Sequence, residues 1–410
     1  MKVGQSVLSV TCCIAGGGPA GMMLGLLLAR AGIEVAVLEK HADFLRDFRG
    51  DTIHPSTLQL LHELGLLDEF LQQPHQKVFQ IQGFVGDREV VIADFSRLPV
   101  RAPFIAFMPQ WDFLNFLLRK AADYACFKLL MQTEVSGLVI AGGQVGGVIA
   151  QTPDGVIQIN SDLLIGADGR DSKVRNLAGL KVRPFGAPID VLWFRLSRRP
   201  SDPAETQGRF LPGRIMVMIN RGEYWQCAYV IPKGRLEMIQ QAGIPAFAGN
   251  IGVAAPFLED RLCELESWDQ IKLLTVKIDM LEKWFSGGLL CIGDAAHAMS
   301  PVGGVGINLA IQDAVAAANI LSGPLRSSAL RTRDLARVQK RRAWPARMTQ
   351  RAQLLVHRRI IQSVLQDKSG FRAPLPVRLL DKFPALRRIT GHAIGIGLRP
   401  EHITSPDARR

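Results

Sequence analysis

The 410 residues include 49 lysines and arginines against 37 aspartates and glutamates, a formal net charge of +12 at pH 7, and 48% are hydrophobic. That length exceeds one ordinary domain and suits two or three, and the apolar content excludes a disordered chain. No apolar run approaches the roughly 20 residues that cross a bilayer; the longest, Met22–Ala29, lies inside a glycine motif, and no cleavage site follows Lys2 and the apolar Val7–Val10 to suggest a secretory signal.

From the N-terminus the pattern reads strand, glycine turn, helix, strand. Val7–Ala15 is apolar and β-branched, Gly16-Gly17-Gly18-Pro19-Ala20-Gly21 follows, and an apolar helix runs to Arg30 before Gly32 ends it. Residues 33–40, IEVAVLEK, supply a second strand and complete a βαβ unit. Leucine and phenylalanine spacing predicts helices over Thr57–Leu71 and Trp111–Tyr124, with strands over Gln80–Asp94. Short β runs separated by turns fill Glu134–Asp168. A second β region spans Val191–Ile231, its best hairpin pairing Arg214–Met218 with Tyr224–Val230 across Asn220-Arg221-Gly222. Strands return at Ile271–Ile278 and Leu289–Ile292, an alanine-rich helix covers Ile307–Leu321, and the remainder is mainly helical and basic. The alternation predicts an α/β fold: a Rossmann-like domain, discontinuous in sequence, with an inserted antiparallel sheet.

Cys12, Cys13, Cys126, Cys227, Cys263 and Cys291 have no paired spacing, and the adjacent Cys12 and Cys13 must point to opposite faces of a strand. Free, mostly buried thiols in a reducing, cytoplasmic setting are expected, with no disulfide framework and no zinc site. Much of the positive charge falls late: Arg331, Arg333, Arg337, Lys340, Arg341, Arg342, Arg347, Arg351, Arg358 and Arg359 are interrupted only by Asp334. A solvated helix face accounts for such a run as well as attraction to cofactor phosphates, acidic lipid or a partner surface does. No aromatics interleave it, so nucleic acid is not expected.

Three blocks carry chemistry. In the first, Gly16 permits a tight turn, Gly18 lets backbone approach a pyrophosphate, and Gly21 allows close helix–strand packing. Glu39 ends the second strand eighteen residues after Gly21, where an acid would meet an adenosine ribose. The second block is an apolar strand ending in Ala167-Asp168-Gly169, then a helix with Ser172 and Arg175. Alone, Asp168 reads equally well as a turn residue or helix cap. The third, Leu289–Ala310, delivers Asp294 to the end of a strand and continues through Gly303, Gly304 and Gly306 into a helix. Such a side-chain-poor loop lets a flat ring lie on backbone, and the helix dipole favours negative charge on it.

In this order the blocks resemble the flavoprotein aromatic hydroxylases of the 4-hydroxybenzoate hydroxylase type, whose GxGxxG, DG and GD motifs match Gly16–Gly21, Asp168-Gly169 and Gly293-Asp294. The resemblance implies FAD as cofactor and NADPH or NADH as transient reductant. It further implies that Arg49 and Gln110 contact FAD, and that Asp294 binds the ribityl chain. Pro301 would lie beside the isoalloxazine, with Gly306, Ile307 and Asn308 at its pyrimidine edge. Asp168, with neighbouring Arg170, is implicated toward both FAD and NAD(P)H. The expected cofactor-binding set is Gly16, Gly18, Ala20, Gly21, Glu39, Lys40, Arg49, Gln110, Asp168, Gly293, Asp294, Pro301, Gly304, Gly306, Ile307 and Asn308.

The chemistry so implied is oxygen transfer from a flavin C4a-hydroperoxide to a phenol-like ring, with no side-chain nucleophile and no metal. His297 then reads as structural and His54 as a helix-start residue. Only three tyrosines are present, and Ser300-Pro301-Val302 stands where the 4-hydroxybenzoate enzyme has Pro-Pro-Thr, so another small aromatic substrate is expected. Arg195 and Arg214 lie in the second sheet without a matching local motif. Substrate-contact candidates are Trp193, Arg195, Met216, Met218, Trp225 and Gln226, of which strand alternation allows only half to face one cavity. A quinone precursor or polyketide is the alternative substrate class, and a non-catalytic flavin redox sensor the alternative function. The expected division is an FAD domain over 1–76, 104–183 and 284–330, and a substrate domain over 77–103 and 184–283. Residues 331–410 would form a helical basic region able to cover the cleft, join a homodimer or rest on a membrane.

Overall fold

The computed structural model describes residues 6–45, 52–86, 88–366 and 375–409. Its main sheet is built on parallel strands in the order Phe127–Leu130, Val35–Leu38, Ser6–Ala15, Gly155–Gly166 and Leu289–Cys291. The chain starts in the middle and winds outward both ways, so a topological switch falls beside Ser6–Ala15. Register aligns the carboxyl ends: Ala15 sits level with Leu38 and Gly166, and Gly166 with Cys291. All three motif loops therefore leave the sheet at one edge. The hairpin of Glu134–Ala141 and Gln144–Thr152 adds antiparallel strands to the long Gly155–Gly166 strand.

Strand alternation divides the core into two layers. Cys12 and Ile14 face the helices Pro19–Arg30, Gln110–Ala122 and Val305–Arg326, whereas Cys13 and Ala15 face the hairpin layer with Val148 and Val174. All six cysteines are free thiols; burial pushes the Cys13 thiol up to about 12, so it stays an inert apolar side chain.

The alanine-rich helix is longer than its sequence pattern predicts. Helical structure extends over Val302–Arg326, long and apolar enough to cross a membrane by length and composition, although Asn308, Gln312, Asp313 and Asn319 interrupt its apolar run. Its most apolar window is 72% buried inside the protein, and it is the central core helix. The predicted Thr57–Leu71 helix is likewise two helices, Pro55–Glu63 and Leu67–Phe70, separated at Gly65 with φ +73°.

The second sheet runs Lys272–Leu274, Ile189–Ser197, Tyr224–Pro232, Arg214–Asn220, Gln207–Leu211, Gln80–Val85 and Arg88–Asp94. The predicted hairpin forms, with Asn220 opposite Trp225. Of the strand predicted at Ile271–Ile278 only Lys272–Leu274 pairs. Sequence reading missed the helices Leu236–Gln241, Ile244–Ala254 and the 3₁₀ stretch Pro256–Glu264. They cover one face of this sheet through Phe247, Ile251 and Leu258. Behind them Arg261 makes paired bonds of 2.6 and 3.0 Å to Asp202, which also accepts from the Trp225 indole N–H at 2.9 Å. Burial would raise the Asp202 carboxyl, but Arg261 and the other donors outweigh it and hold it at about 2. Arg261→Met leaves that buried carboxylate without its cation. It is expected to lower unfolding free energy by about 3–5 kcal/mol, read by urea denaturation; a change within experimental error would refute a supporting role for the pair.

The basic C-terminal region is not a detached surface. Thr332–Val356 packs along the core helix, Arg342 being 1% exposed. Pro384–Gly395 then covers the outer edge strand Arg88–Asp94, with Thr390 Oγ1 donating to the Ile92 carbonyl at 2.5 Å. The last residues return to the first helix, where Ala408 N–H donates to the Arg30 carbonyl at 2.8 Å.

Candidate active site

The glycine turn is shaped by two close approaches. Gly16 sits at φ +109°, and a Cβ there would lie 2.3 Å from the Ala167 carbonyl oxygen; one on Gly21 would lie 1.9 Å from the Gly16 carbonyl oxygen. At Gly18 a Cβ would meet nothing within 4 Å. That open space lies at the start of Pro19–Arg30, whose first amides have no side-chain cap and no acid in the first turn. Uncapped backbone N–H groups at a helix start favour an anion beside them. Glu39, 9% exposed, accepts from Gly17 N–H at 3.2 Å and His41 N–H at 3.1 Å, so it braces the loop from the second strand. Lys40 beside it is exposed, and Ala20 is buried 3.4 Å from where a Gly293 Cβ would be.

The DG and GD motifs meet through Arg170, whose guanidinium lies 3.5 Å from the Asp294 carboxylate. Asp168 is committed locally: its oxygens accept from Ser172 Oγ at 2.5 Å and Val174 N–H at 3.0 Å, capping the short Lys173–Leu177 helix. Arg175 below it is buried, bonded to both Asp279 oxygens at 3.3 and 3.4 Å and to the Arg170 carbonyl. Gly293 packs against Ala310, bringing the strand end onto the core helix.

The glycine loop opens the core helix without a side-chain cap, with Gly303 and Gly304 at φ +81° and +63°. Thr52 Oγ1 donates to the Gly304 carbonyl at 3.3 Å. A Cβ on Gly306 would meet nothing, and Pro301 and Ile307 are half-buried. Asn308 is 4% exposed, its side-chain oxygen accepting from Ser56 Oγ at 2.6 Å and Thr57 Oγ1 at 3.1 Å. Its side-chain oxygen is thus turned inward, onto the Pro55–Glu63 helix start. Gln110 is the first residue of the Gln110–Ala122 helix and is half-buried. Arg49 lies outside the described residues.

His54 opens the Pro55–Glu63 helix as expected, its carbonyl accepting from Thr57 and Leu58. Its fully buried ring also donates from Nδ1 to the Ile394 carbonyl at 2.9 Å and lies against Gly304. Burial depresses its pKa from 6.5 to about 4, against the opposing pull of the Ile394 and Gly304 backbone. The unfolded chain therefore takes up this proton first, and stability falls as pH drops from 6.5 toward 4. The full effect is about 3 kcal/mol. His54→Asn, which keeps a donor for Ile394, is expected to flatten that slope in melting temperatures measured from pH 8 to 4; an unchanged slope would exclude His54 as its source.

Residues that sequence reading missed hold the GD motif from behind. Asp313 is fully buried and accepts from Gly293 N–H at 3.0 Å, His297 Nε2 at 2.5 Å and Arg342 Nε at 2.9 Å. Burial would raise its carboxyl, but His297 and Arg342 overcome that and hold it below the ordinary range. Arg342 continues to the Arg399 carbonyl and Glu401, tying the C-terminal segment in. His297 packs on Trp284 with ring centroids 4.9 Å apart. The available signal was a lone acid inside an alanine-rich helix.

Among the substrate candidates, strand alternation separates two groups. Met216, Met218 and Trp225 are fully buried against Phe247, Phe257 and Leu258, on the face covered by the missed helices. This corrects their reading as cavity residues: they are core. Arg214 also points there, bonded to Asn250 at 2.9 Å. The opposite face presents Val191, Ile215, Ala228 and half-buried Trp193, which pack with Val302 of the glycine loop and with Val356 and Ile361. Gln226 shares this face but accepts from Arg221 at 3.0 Å near the hairpin turn, and Arg195 is exposed over the Tyr224 ring.

Residues 9–352 match a family model described as an FAD binding domain. The chain is 31% identical over 381 residues to the 6-methylpretetramide 4-monooxygenase of Streptomyces rimosus, covering 92% of this chain and 90% of that protein. In fold it is similar to PqsL, a probable FAD-dependent monooxygenase from Pseudomonas aeruginosa, with TM-score 0.73 and 19% identity over 87% of this chain and 98% of the other. The OxyS anhydrotetracycline hydroxylase from Streptomyces rimosus gives TM-score 0.73 and 22% identity, over 96% and 77%. The motif loops at one sheet edge, the paired uncapped helix starts and these likenesses agree: the chain belongs to the FAD-binding family of the flavoprotein aromatic hydroxylases.

Proposed function

We propose that this protein is an FAD-dependent monooxygenase that uses NADPH or NADH and oxygen to hydroxylate a flat aromatic or polyketide substrate. The observation that carries the reading is the convergence, at one sheet edge, of the open space at Gly18, the Arg170–Asp294 pair and the Gly303–Gly306 helix start. The backbone from Gly16 to Gly21 would hold the pyrophosphate, with Glu39 at the adenosine ribose. Asp294 would hold the ribityl chain, and Pro301 to Asn308 would lie along the ring. When bound, FAD supplies hydride acceptance and oxygen activation. The chain's own residues supply orientation, fixed dipoles at the ring's pyrimidine edge, and a dry wall in the second sheet.

On that wall Val191, Ile215 and Ala228 are already buried against Val302, Val356 and Ile361, and half-buried Trp193 is the apolar side chain left to meet a flat, uncharged substrate. The similarity to a monooxygenase named for 6-methylpretetramide supports a polyketide within this class. The scattered free thiols suit a cytoplasmic protein. The test is to purify the protein, record its visible spectrum, and follow NADH and NADPH oxidation against phenols, quinone precursors and polycyclic polyketides, with oxygenated product and hydrogen peroxide quantified. Substrate-stimulated oxidation with an oxygenated product is the expected result. A protein that takes up no FAD when supplied with it would overturn the reading.

A further inference from the structure

Seven residues of the C-terminal helical stretch, Arg342, Ala346, Gln350, Gln353, His357, Ile361 and Val364, form one buried stripe at spacings of three and four. An apolar stripe would suffice to pack such a helix. Here the middle rungs are amides and an imidazole, side chains that are costly to bury unless bonded. Each has a bond to residues 298–302, and Gln350 reaches Asp279 as well. Gln350 Nε2 donates to the Asp279 and Ala298 carbonyls at 2.7 and 3.0 Å. Gln353 brackets the next turn from both sides: its oxygen accepts from Ser300 N–H at 3.2 Å, and its Nε2 donates to the Ser300 and Val302 carbonyls at 3.0 and 2.9 Å. It thus does for Ser300 what a neighbouring strand would do. His357, where a π-turn begins, lies 2.8 Å from Ser300 Oγ. Ser300 Oγ also accepts from Val302 N–H at 3.2 Å, so the hydroxyl joins the imidazole to the turn's own backbone. Pro301, between these anchored residues, has no N–H of its own to fix it.

We propose that Gln353 and His357 are positioning residues for the flavin: the C-terminal helix grips the backbone of Ser300–Val302 and sets the turn from which the Gly303–Gly304 loop and the core helix start. The inference rests on the reading of Pro301–Gly304 as the segment along the flavin ring. It makes the basic C-terminal region part of the cofactor site. The polar rungs occur where the stripe crosses residues 298–302 and give way to Ile361 and Val364 beyond it, against the second sheet.

The test is to titrate apo-protein with FAD by flavin fluorescence, and to record the bound flavin's absorption spectrum and midpoint potential. The variants are Gln353→Met, His357→Leu, His357→Gln, Ser300→Ala, and Ser300→Ala combined with His357→Leu. Gln353→Met and His357→Leu are expected to remain folded by circular dichroism, to weaken FAD binding roughly ten-fold, and to shift the flavin spectrum. His357→Gln, whose amide can still pair with the Ser300 hydroxyl, is expected to restore both properties. Once Ser300 is alanine, adding His357→Leu should change affinity by less than about two-fold. Variants with lowered melting temperature but wild-type FAD affinity, spectrum and potential would overturn the proposal, leaving the rungs a packing role only. If Gln353→Met does not fold, the Ser300–His357 cycle decides alone. A wild-type protein that binds no FAD would instead defeat the function proposed above, and this inference with it.

Discussion

Asp313→Ala is expected to produce a protein that is strongly destabilised and purifies with little or no FAD. The substitution strands three donors in a site with no solvent: the Gly293 N–H, His297 and Arg342. Removing one partner of a buried charge cluster typically costs about 3–5 kcal/mol, a large share of the roughly 5–15 kcal/mol that holds an ordinary domain. The damage also has a direction. Gly293 lies between the Leu289–Cys291 strand and Asp294, so loss of its acceptor frees the GD turn. Asp313→Asn keeps one acceptor oxygen and should fall between wild type and alanine. Because the Asp313 carboxyl is held below its ordinary 3.8, its contribution is present above that pH and lost as pH falls below it. Urea unfolding at pH 7 and 3.5, with flavin content measured at 450 nm in parallel, checks both parts. An alanine variant with wild-type stability and flavin content would refute the role of the cluster.

The second large effect separates two glycines three residues apart. Gly21→Ala should destabilise the fold and abolish FAD binding, since its methyl would sit 1.9 Å from the Gly16 carbonyl oxygen with only backbone to give way. Strain of that kind costs about 1–3 kcal/mol or more, and relieving it would unseat the turn. Gly18→Ala should behave differently. Gly18 has φ −73° and ψ −177°, which alanine adopts freely, and a Cβ there meets nothing within 4 Å. Its melting temperature should match wild type while its FAD dissociation constant rises about ten-fold or more, because the methyl enters the open space that the proposed function gives to the pyrophosphate. Fluorescence titration beside thermal melts distinguishes the two. Equal affinity for wild type and Gly18→Ala would place the phosphates elsewhere.

The same glycines show how much of the site was legible in advance. Gly21 is required by steric contact with Gly16 within one short segment, so its spacing reveals it, whereas the contact that requires Gly16 is with the distant Ala167 and only its place in the motif marked it. The place of Glu39, Asp168 and Asp294 at the carboxyl edge of the sheet could be anticipated because each follows an apolar strand. Asp313, Gln350, Gln353 and His357 were not legible. Their partners lie about 16 to 71 residues away in sequence, and a polar residue on a helix gives no sign of whether it meets water or a distant backbone. The basic run containing Arg342 concealed a fully buried guanidinium for the same reason. Met216, Met218 and Trp225 were misassigned because alternation reveals that a strand has two faces without revealing what covers each. The covering helices, Ile244–Ala254 foremost, were themselves missed.

By itself, then, the sequence determined the βαβ opening, the order of the three motif loops and the α/β class with its second sheet. These follow from short-range periodicity and from the spacing of glycines within one short segment. Tertiary structure alone decided which face of the second sheet turns toward the glycine loop, and that Val302–Arg326 is a core helix rather than a membrane span. It also decided that the basic C-terminal helix clamps the Ser300–Val302 turn. The physical reason is common to all three: burial and hydrogen-bond satisfaction are properties of pairs, and the second member of each pair is brought in from a distant part of the chain.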